Sequence, residues 1–320
     1  MIQTNWVVER LRQQWPNLEI AIEQIRTTGD QITHVPLTQI GGDGVFVTEI
    51  ERALQERRID LAVHSLKDLP TAQPDGLQVV VAGPREDVRD IFVSNQAFRI
   101  DNGRLQPVET DVEWSQSPRI GTSSLRRSAQ IREFYPGAQL LTIRGNVDTR
   151  LRKLESGAYD GIVVAAAGLH RMELQPQLAE RLTYFPIEMM MPAPGQGALG
   201  LEIRNEPEMQ ALLEPLRDVM VQAATSAERM FMRRLGAGCY LPIAAYAEVI
   251  EDDLVLRGLV ISTDGQRSIR VRQSVRWSAE NGIARAEMLG IRLAEQALDQ
   301  GAQEIIQGSN MLREREQQRV

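Results

Sequence analysis

Cys239 is the sole cysteine of the 320-residue chain and stands in Gly236-Ala237-Gly238-Cys239-Tyr240-Leu241-Pro242. Glycines beside a lone thiol leave room for a group to approach its sulfur, which suits nucleophilic or covalent attachment chemistry. An inert core thiol is the commoner use of a lone cysteine. Two further segments are suited to anions. Gly121-Thr122-Ser123-Ser124-Leu125-Arg126-Arg127 sets hydroxyls where a strand passes into a helix, followed by two arginines. Free N–H groups at a helix start and guanidinium forks both bind carboxylate or phosphate, although a Ser/Thr cap alone is usually structural. Arg144-Gly145-Asn146 repeats the arrangement, with Asn146 as cap and Arg150 one turn in.

A carboxylate completes the set. His64-Ser65-Leu66-Lys67-Asp68-Leu69-Pro70 follows an apolar strand. Asp68 there can accept from a ring N–H and stabilise positive charge developing on that ring, or simply pair with Lys67 or a nearby arginine. His64 reads as a packed strand-end residue. Pro194-Gly195-Gln196-Gly197-Ala198 is either a turn or a hinge that brings the Gln196 amide to a cleft.

The elements that must position these residues alternate along the chain. Val7, Leu11 and Trp15 recur every four positions from Gln3 to Trp15, a helix stopped by Pro16. Leu18, Ile20 and Ile22 have strand period, and Phe46 to Arg57 returns to helix with Ile50, Ala53 and Leu54 inward. Strands at Leu61–Val63, Leu77–Ala82 and Ile91–Val93 point to α/β units with mainly buried, parallel strands.

The middle of the chain reads as a second such unit. It has strands at Arg119–Gly121, Leu140–Ile143 and Gly161–Ala165, helices from Ser123 and Asn146, and a short helix toward Met172. Pro186 and Pro192-Ala193-Pro194-Gly195 then look like a crossover. A helix at Ala223–Leu235 precedes strands at Ala244–Ile250, Leu254–Ser262 and Ser268–Val275, with turns at Asp252-Asp253 and Asp264-Gly265. A helix at Ala284–Gly301 covers that antiparallel sheet, and Arg313 to Val320 reads as a frayed end. In open α/β sheets ligands bind beyond the carboxyl ends of strands, where the Thr122 and Arg144 segments both fall.

Composition bounds the function. The single cysteine excludes an internal disulfide and fits a reducing compartment, and three scattered histidines make no zinc cluster. The net charge of −7 argues against a nucleic-acid binder. The apolar runs are too short for a membrane span, and polar Gln3, Thr4 and Asn5 stand where a signal peptide needs apolar residues. A cytoplasmic enzyme is the expectation. Against the acidic whole, Arg119 to Arg171 holds nine Arg or Lys and four acids, a local net of +5. Such a segment is either a solvated basic face or a cleft that concentrates an anionic substrate.

The blocks His64–Pro70, Arg119–Arg132, Arg144–Met172, Pro192–Ile203 and Gly236–Ala247 run through nearly the whole chain. Together they closely resemble the hydroxymethylbilane synthase (porphobilinogen deaminase) family. The resemblance implies two α/β domains like those of periplasmic binding proteins, at 1–86 with 189–206 and at 87–188, with the active cleft between them. It implies a third α/β domain, 207–320, with a three-stranded antiparallel sheet and the cysteine on a loop.

By that resemblance Cys239 carries a dipyrromethane cofactor through a thioether. Four porphobilinogen units are added in turn, each losing ammonia to give an azafulvene that the growing oligopyrrole attacks, and hydrolysis releases a linear tetrapyrrole. Asp68 matches the catalytic carboxylate. Lys67, Arg126, Arg127, Arg144, Arg150 and Arg171 match positions that hold acetate and propionate groups. Ser65, Thr122, Ser123, Ser124, Gly145 and Gln196 match further cofactor and substrate contacts. The resemblance also implies a monomer without a metal, nucleic-acid or membrane partner.

Gln3 matches a glutamine on the family's first helix, so the strand that precedes it in the family, with an arginine and a serine, has no counterpart here. Asp43 and Thr48 stand where the family has lysines. These departures imply either an incomplete start or a divergent member, and leave a second reading, a noncatalytic tetrapyrrole or anion binder. An exported solute-binding protein shares the two-domain cleft but does not explain Cys239.

Overall fold

The computed structural model describes residues 1–25, 47–109, 115, 117–236 and 241–317, with side chains through 311. Cys239, Asp43 and the glycine-rich residues 41–44 therefore lie outside the described residues. The chain opens with α1, Ile2–Gln14, which buries Val7, Val8 and Leu11. Trp15 does not continue that face: it leaves the helical conformation ahead of Pro16, whose ring disfavours it, and its indole donates to Leu212 O at 3.1 Å. Residues 18–22 follow outside any helix or strand. Leu18 and Ile20 pack on the core, but no ladder forms there among the described residues. Alternation needs only an apolar surface, whereas a strand also needs a neighbouring edge.

The helix α2, Thr48–Gln55, packs Ala53 and Leu54 on a sheet of β1 (Leu61–Ser65) and β2 (Leu77–Ala82). These two strands are not neighbours. The returning strand β10, Leu199–Arg204, lies between them, antiparallel to both. The expectation of parallel strands fails here, because after the proline-rich stretch read as a crossover the chain re-enters the sheet as a fully buried strand running in the opposite direction.

A five-stranded sheet follows. Its members are β3 (Asp90–Ser94), β6 (Arg119–Gly121), β7 (Gln139–Leu141), β8 (Gly161–Ala165) and β9 (Leu182–Tyr184), in the order β7-β6-β8-β3-β9. Only the β6 pairings are parallel. Ile91, Val93, Ile162 and Val164 face one core, with Leu151, Leu154 and Leu169. Phe92 and Val163 face the other, with Ile120 and Ile131. Both faces are covered, which is why these strands read as unbroken apolar runs. The helices are α3 (Leu125–Phe134), α4 (Val147–Glu155), α5 (Ala166–Arg171) and the short α6 (Gln175–Leu178), and α7 (Pro207–Leu213) follows β10. A hairpin of β4 (Phe98–Asp101) and β5 (Arg104–Pro107) was not expected. Its Asn102-Gly103 turn has positive φ at both residues, the conformation a two-residue hairpin favours.

The last core joins β11 (Ile243–Ile250), β12 (Asp253–Ile261) and β13 (Ser268–Arg276), an antiparallel meander, to α8 (Val219–Arg234) and α9 (Gly282–Asp299). Asp218 caps α8 by accepting from Met220 N and Val221 N. A further helix, α10 (Ala302–Gln317), runs through residues expected to fray, anchored by buried Ala302, Ile305 and Ile306. The fold is mixed α/β with a separate three-stranded antiparallel sheet. No helix among the described residues is long and apolar enough to cross a membrane.

Candidate active site

At the end of β1 the chain enters a single 3-10 turn, Leu66–Asp68. Leu66 and Leu69 are fully buried among Val47, Val81 and Ala198, and Leu66 N donates to Ala198 O at 3.0 Å. With its apolar residues turned inward, the segment presents Lys67 and Asp68 to a cavity of about 720 Å³. The other wall comes from the five-stranded unit: Arg127, Gly145, Arg150, and Arg171 at the end of α5. Gln3 and Gln196 also line it, and Gln3 Nε2 donates to Ser65 Oγ at 2.9 Å.

Local geometry explains why these residue types stand here. Asn146 caps α4 by accepting from Thr149 N at 3.0 Å. Gly145 has φ +110°, and a Cβ there would lie 2.6 Å from Thr149 Cγ2. Arg150 is thus folded back, its Nε donating to Gly145 O at 2.8 Å. Arg171 Nη2 donates to Gly197 O at 2.7 Å, and Gly197 has φ +88° with no room for a Cβ against Glu86 O.

Behind the cavity lies a buried carboxylate that the sequence analysis missed. Asp90 is 0% exposed. It accepts from Arg126 Nη1 at 2.7 Å, from Arg127 Nη2 at 2.7 Å and from Gln196 Nε2 at 3.0 Å. Burial pushes the Asp90 carboxyl up, but the two guanidiniums outweigh it and hold the acid well below the ordinary carboxylate range. Gln196 accepts from Lys67 Nζ at 3.3 Å, so one amide joins the two walls. Burial pushes the Lys67 ammonium down to about 8, against the pull of Asp68. Burial likewise lowers Arg150 and Arg171, which remain cations at neutral pH.

The cavity thus gathers Gln3, Ser65, Lys67, Asp68, Arg127, Gly145, Arg150, Arg171 and Gln196. Five other candidates do not line it. Arg126 turns to Asp90 and Met191 O. Ser123 Oγ donates to Ile143 O, Ser124 caps α3, Thr122 Oγ1 accepts from Ser124 N, and Arg144 lies beside α4, its carbonyl accepting from Lys153 Nζ. Those hydroxyls bond within the chain. Asp68 is exposed to the cavity, and among the described residues no cation lies within ion-pair distance of it.

The missed Asp90 has a faint sequence signal, an acid heading the otherwise apolar run Ile91-Phe92-Val93. Glu228 was missed too. It is fully buried, binds Arg85 through both oxygens at 2.8 and 3.0 Å, and accepts from Gly195 N at 2.7 Å. Nothing in its helical context marks it out.

Fold and cleft define an α/β protein that can hold a polycarboxylate beside Asp68, an acid with no ion-pair partner among the described residues. The family profile described as porphobilinogen deaminase, dipyromethane cofactor binding domain, matches residues 1–211, and the porphobilinogen deaminase C-terminal domain profile matches 223–299. A porphobilinogen deaminase of Syntrophus aciditrophicus is 43% identical over 309 residues, covering 96% of this chain and 94% of that one. One of Brevibacillus brevis is 40% identical over 319 residues, covering 99% and 96%. Among solved structures, the periplasmic VFT2 domain of Bordetella pertussis BvgS overlays 67% of this chain and 76% of its own at 14% identity and a TM-score of 0.37. The chain belongs to the porphobilinogen deaminase family.

Proposed function

We propose that the chain is a working hydroxymethylbilane synthase, a transferase of tetrapyrrole biosynthesis. It condenses four porphobilinogen units onto a dipyrromethane and releases a linear product by hydrolysis. The observation that carries this reading is Asp68, exposed to a cavity whose other charged side chains include Lys67, Arg127, Arg150 and Arg171. A dipyrromethane bearing acetates and propionates fits that donor set, since guanidinium forks match carboxylates. When bound, it supplies the free pyrrole carbon to which the first substrate is joined.

The roles then divide by position. Lys67, Arg127, Arg150 and Arg171 hold carboxylates of cofactor and substrate. Gln3, Ser65 and Gln196 orient the bound pyrroles. Gly145 adds a cofactor contact on the same wall, and Arg126, Arg144, Thr122, Ser123 and Ser124 support that wall from behind. Asp68 accepts from a pyrrole N–H and stabilises the cation left as ammonia departs, a task suited to a carboxylate no ion pair has neutralised. Cys239 is the thioether anchor. The domains are 1–86 with 189–206, 87–188, and 207–320, and the protein acts as a cytoplasmic monomer.

The deciding test is an intact-mass spectrum with and without porphobilinogen. A mass two pyrroles above the polypeptide, rising in single-pyrrole steps with substrate and absent in Cys239→Ser, is expected. A bare polypeptide that porphobilinogen leaves unchanged would sink the reading and favour a noncatalytic anion binder.

Lys67 adds a pH signature. It is charged below about 8 and loses its proton as the pH rises through that value, so the cleft then loses one positive charge. Because kcat/KM reports the free enzyme, kcat/KM for porphobilinogen should bend downward near pH 8. Lys67→Met should remove the bend and lower kcat/KM at neutral pH. A bend that survives in Lys67→Met would assign it to another group.

A further inference from the structure

The turn that presents Asp68 cannot satisfy its own backbone. Leu69 N closes on Leu66 O at 3.2 Å, and a single 3-10 turn has no further N–H to offer the carbonyls at its end. Pro70 contributes none at all. The buried side chains of Leu66 and Leu69 hold the turn against the core, but apolar contacts are non-directional and do not fix its roll. The roll is what aims Asp68.

Gln73 Nε2 donates to Pro70 O at 3.0 Å, and one side chain from another unit supplies the remaining donors. Arg229, in the second half of α8, donates from Nη1 to Leu66 O at 3.2 Å and to Leu69 O at 3.0 Å, and from Nη2 to Pro70 O at 2.6 Å. Three carbonyls of one turn thus meet a single planar fork, an arrangement a lysine ammonium cannot copy. The preceding residue, Glu228, holds Gly195 N, and a Cβ on Gly195 would lie 3.3 Å from Lys67 N. Adjacent residues of one helix therefore hold the two segments that meet beneath Lys67.

We propose that Arg229 is the positioning residue for Asp68: by gripping the carbonyls of the Leu66–Pro70 turn it aims the carboxylate into the cleft. This rests on the reading of Asp68 as the carboxylate at the reacting ring. It ties the aim of Asp68 to α8, the element whose chain continues to Cys239. Arg229 acts through the turn and touches neither substrate nor cofactor.

The test compares full-length wild type, Arg229→Met and Arg229→Lys by intact mass, by steady-state kinetics per cofactor-loaded molecule, and by hydrogen exchange over residues 65–70. Arg229→Met should load its cofactor and keep KM, lose about 100-fold in kcat, as a misplacement near 1 Å does, and exchange faster in that segment alone. Arg229→Lys should fall between. Unchanged kcat per loaded molecule would reduce Arg229 to a structural staple, and unchanged exchange would show that the turn does not depend on it. Either result overturns the proposal. If Arg229→Met fails to fold, Arg229→Lys decides on the same two readings. A wild type that never elongates would instead defeat the functional reading, while the exchange comparison still tests the grip on the turn.

Discussion

Asp68→Asn should bind porphobilinogen normally and fail to elongate it. The amide keeps the shape of the carboxylate and lacks its charge. Asp68 has no ion-pair partner among the described residues, so the change strands no buried cation and should leave stability near wild type. The cations that hold carboxylates are untouched, so KM should hold or fall slightly as one negative charge leaves the cavity. The loss belongs in kcat, because the developing ring cation loses its counter-charge. Removing one such electrostatic group costs on the order of 10²–10³ in rate. Two readings check this. On the time scale of wild-type turnover the mass ladder should stay at the resting species, and the bend in the residual kcat/KM should move below pH 8, since Asp68 raises the Lys67 ammonium. Near-wild-type product formation would remove Asp68 from the reacting centre.

The cleft walls were legible in the sequence because each is a strand end feeding a short helix or turn, with hydroxyl, Gly or Asn at the junction. Gly145-Asn146 shows why the reading worked: the cap and the positive φ are local demands, visible in adjacent residues. What those junctions bond to was not legible. Ser123 and Thr122 look like anion ligands by type, yet their hydroxyls bond within the chain. Arg126 and Arg127 look equivalent, but one turns to Met191 O behind the wall and the other lines the cavity. Helical pitch places neighbouring residues on different faces, and which face meets the cavity depends on the sheet beneath.

Strand order was hidden for the same reason. β10 follows a proline-rich stretch, no strand is expected there from the sequence, and its position between β1 and β2 depends on the return of the chain. Partners distant in sequence, such as Arg229 with Pro70 or Glu228 with Gly195, leave no periodicity to find. The family resemblance suggests which residues to test for substrate contact and is silent about what holds them in place.

Asp90→Asn should be the most damaging single change to the fold of the cleft. The amide can keep some hydrogen bonds, but it leaves Arg126 and Arg127, both nearly fully buried, without a counter-charge. Breaking a buried pair by removing one partner costs roughly 3–5 kcal/mol, a large share of the ~5–15 kcal/mol that holds a domain folded. The pH dependence carries the sign. The folded Asp90 carboxyl lies well below its unfolded value, so its stabilisation is complete above the unfolded value, about 4, and is lost as pH falls through the folded one. The stability gap between wild type and Asp90→Asn should therefore be widest at neutral pH and should narrow below about pH 4. Urea melts at pH 7 and pH 3.5 would measure it, and a variant as stable as wild type at pH 7 would show that Asp90 does not anchor the arginine pair. The same change loosens Gln196, which donates to Asp90 and accepts from Lys67. Damage behind one wall thus reaches the residue beside Asp68 on the other, and weakened binding in the molecules that remain folded would expose that link.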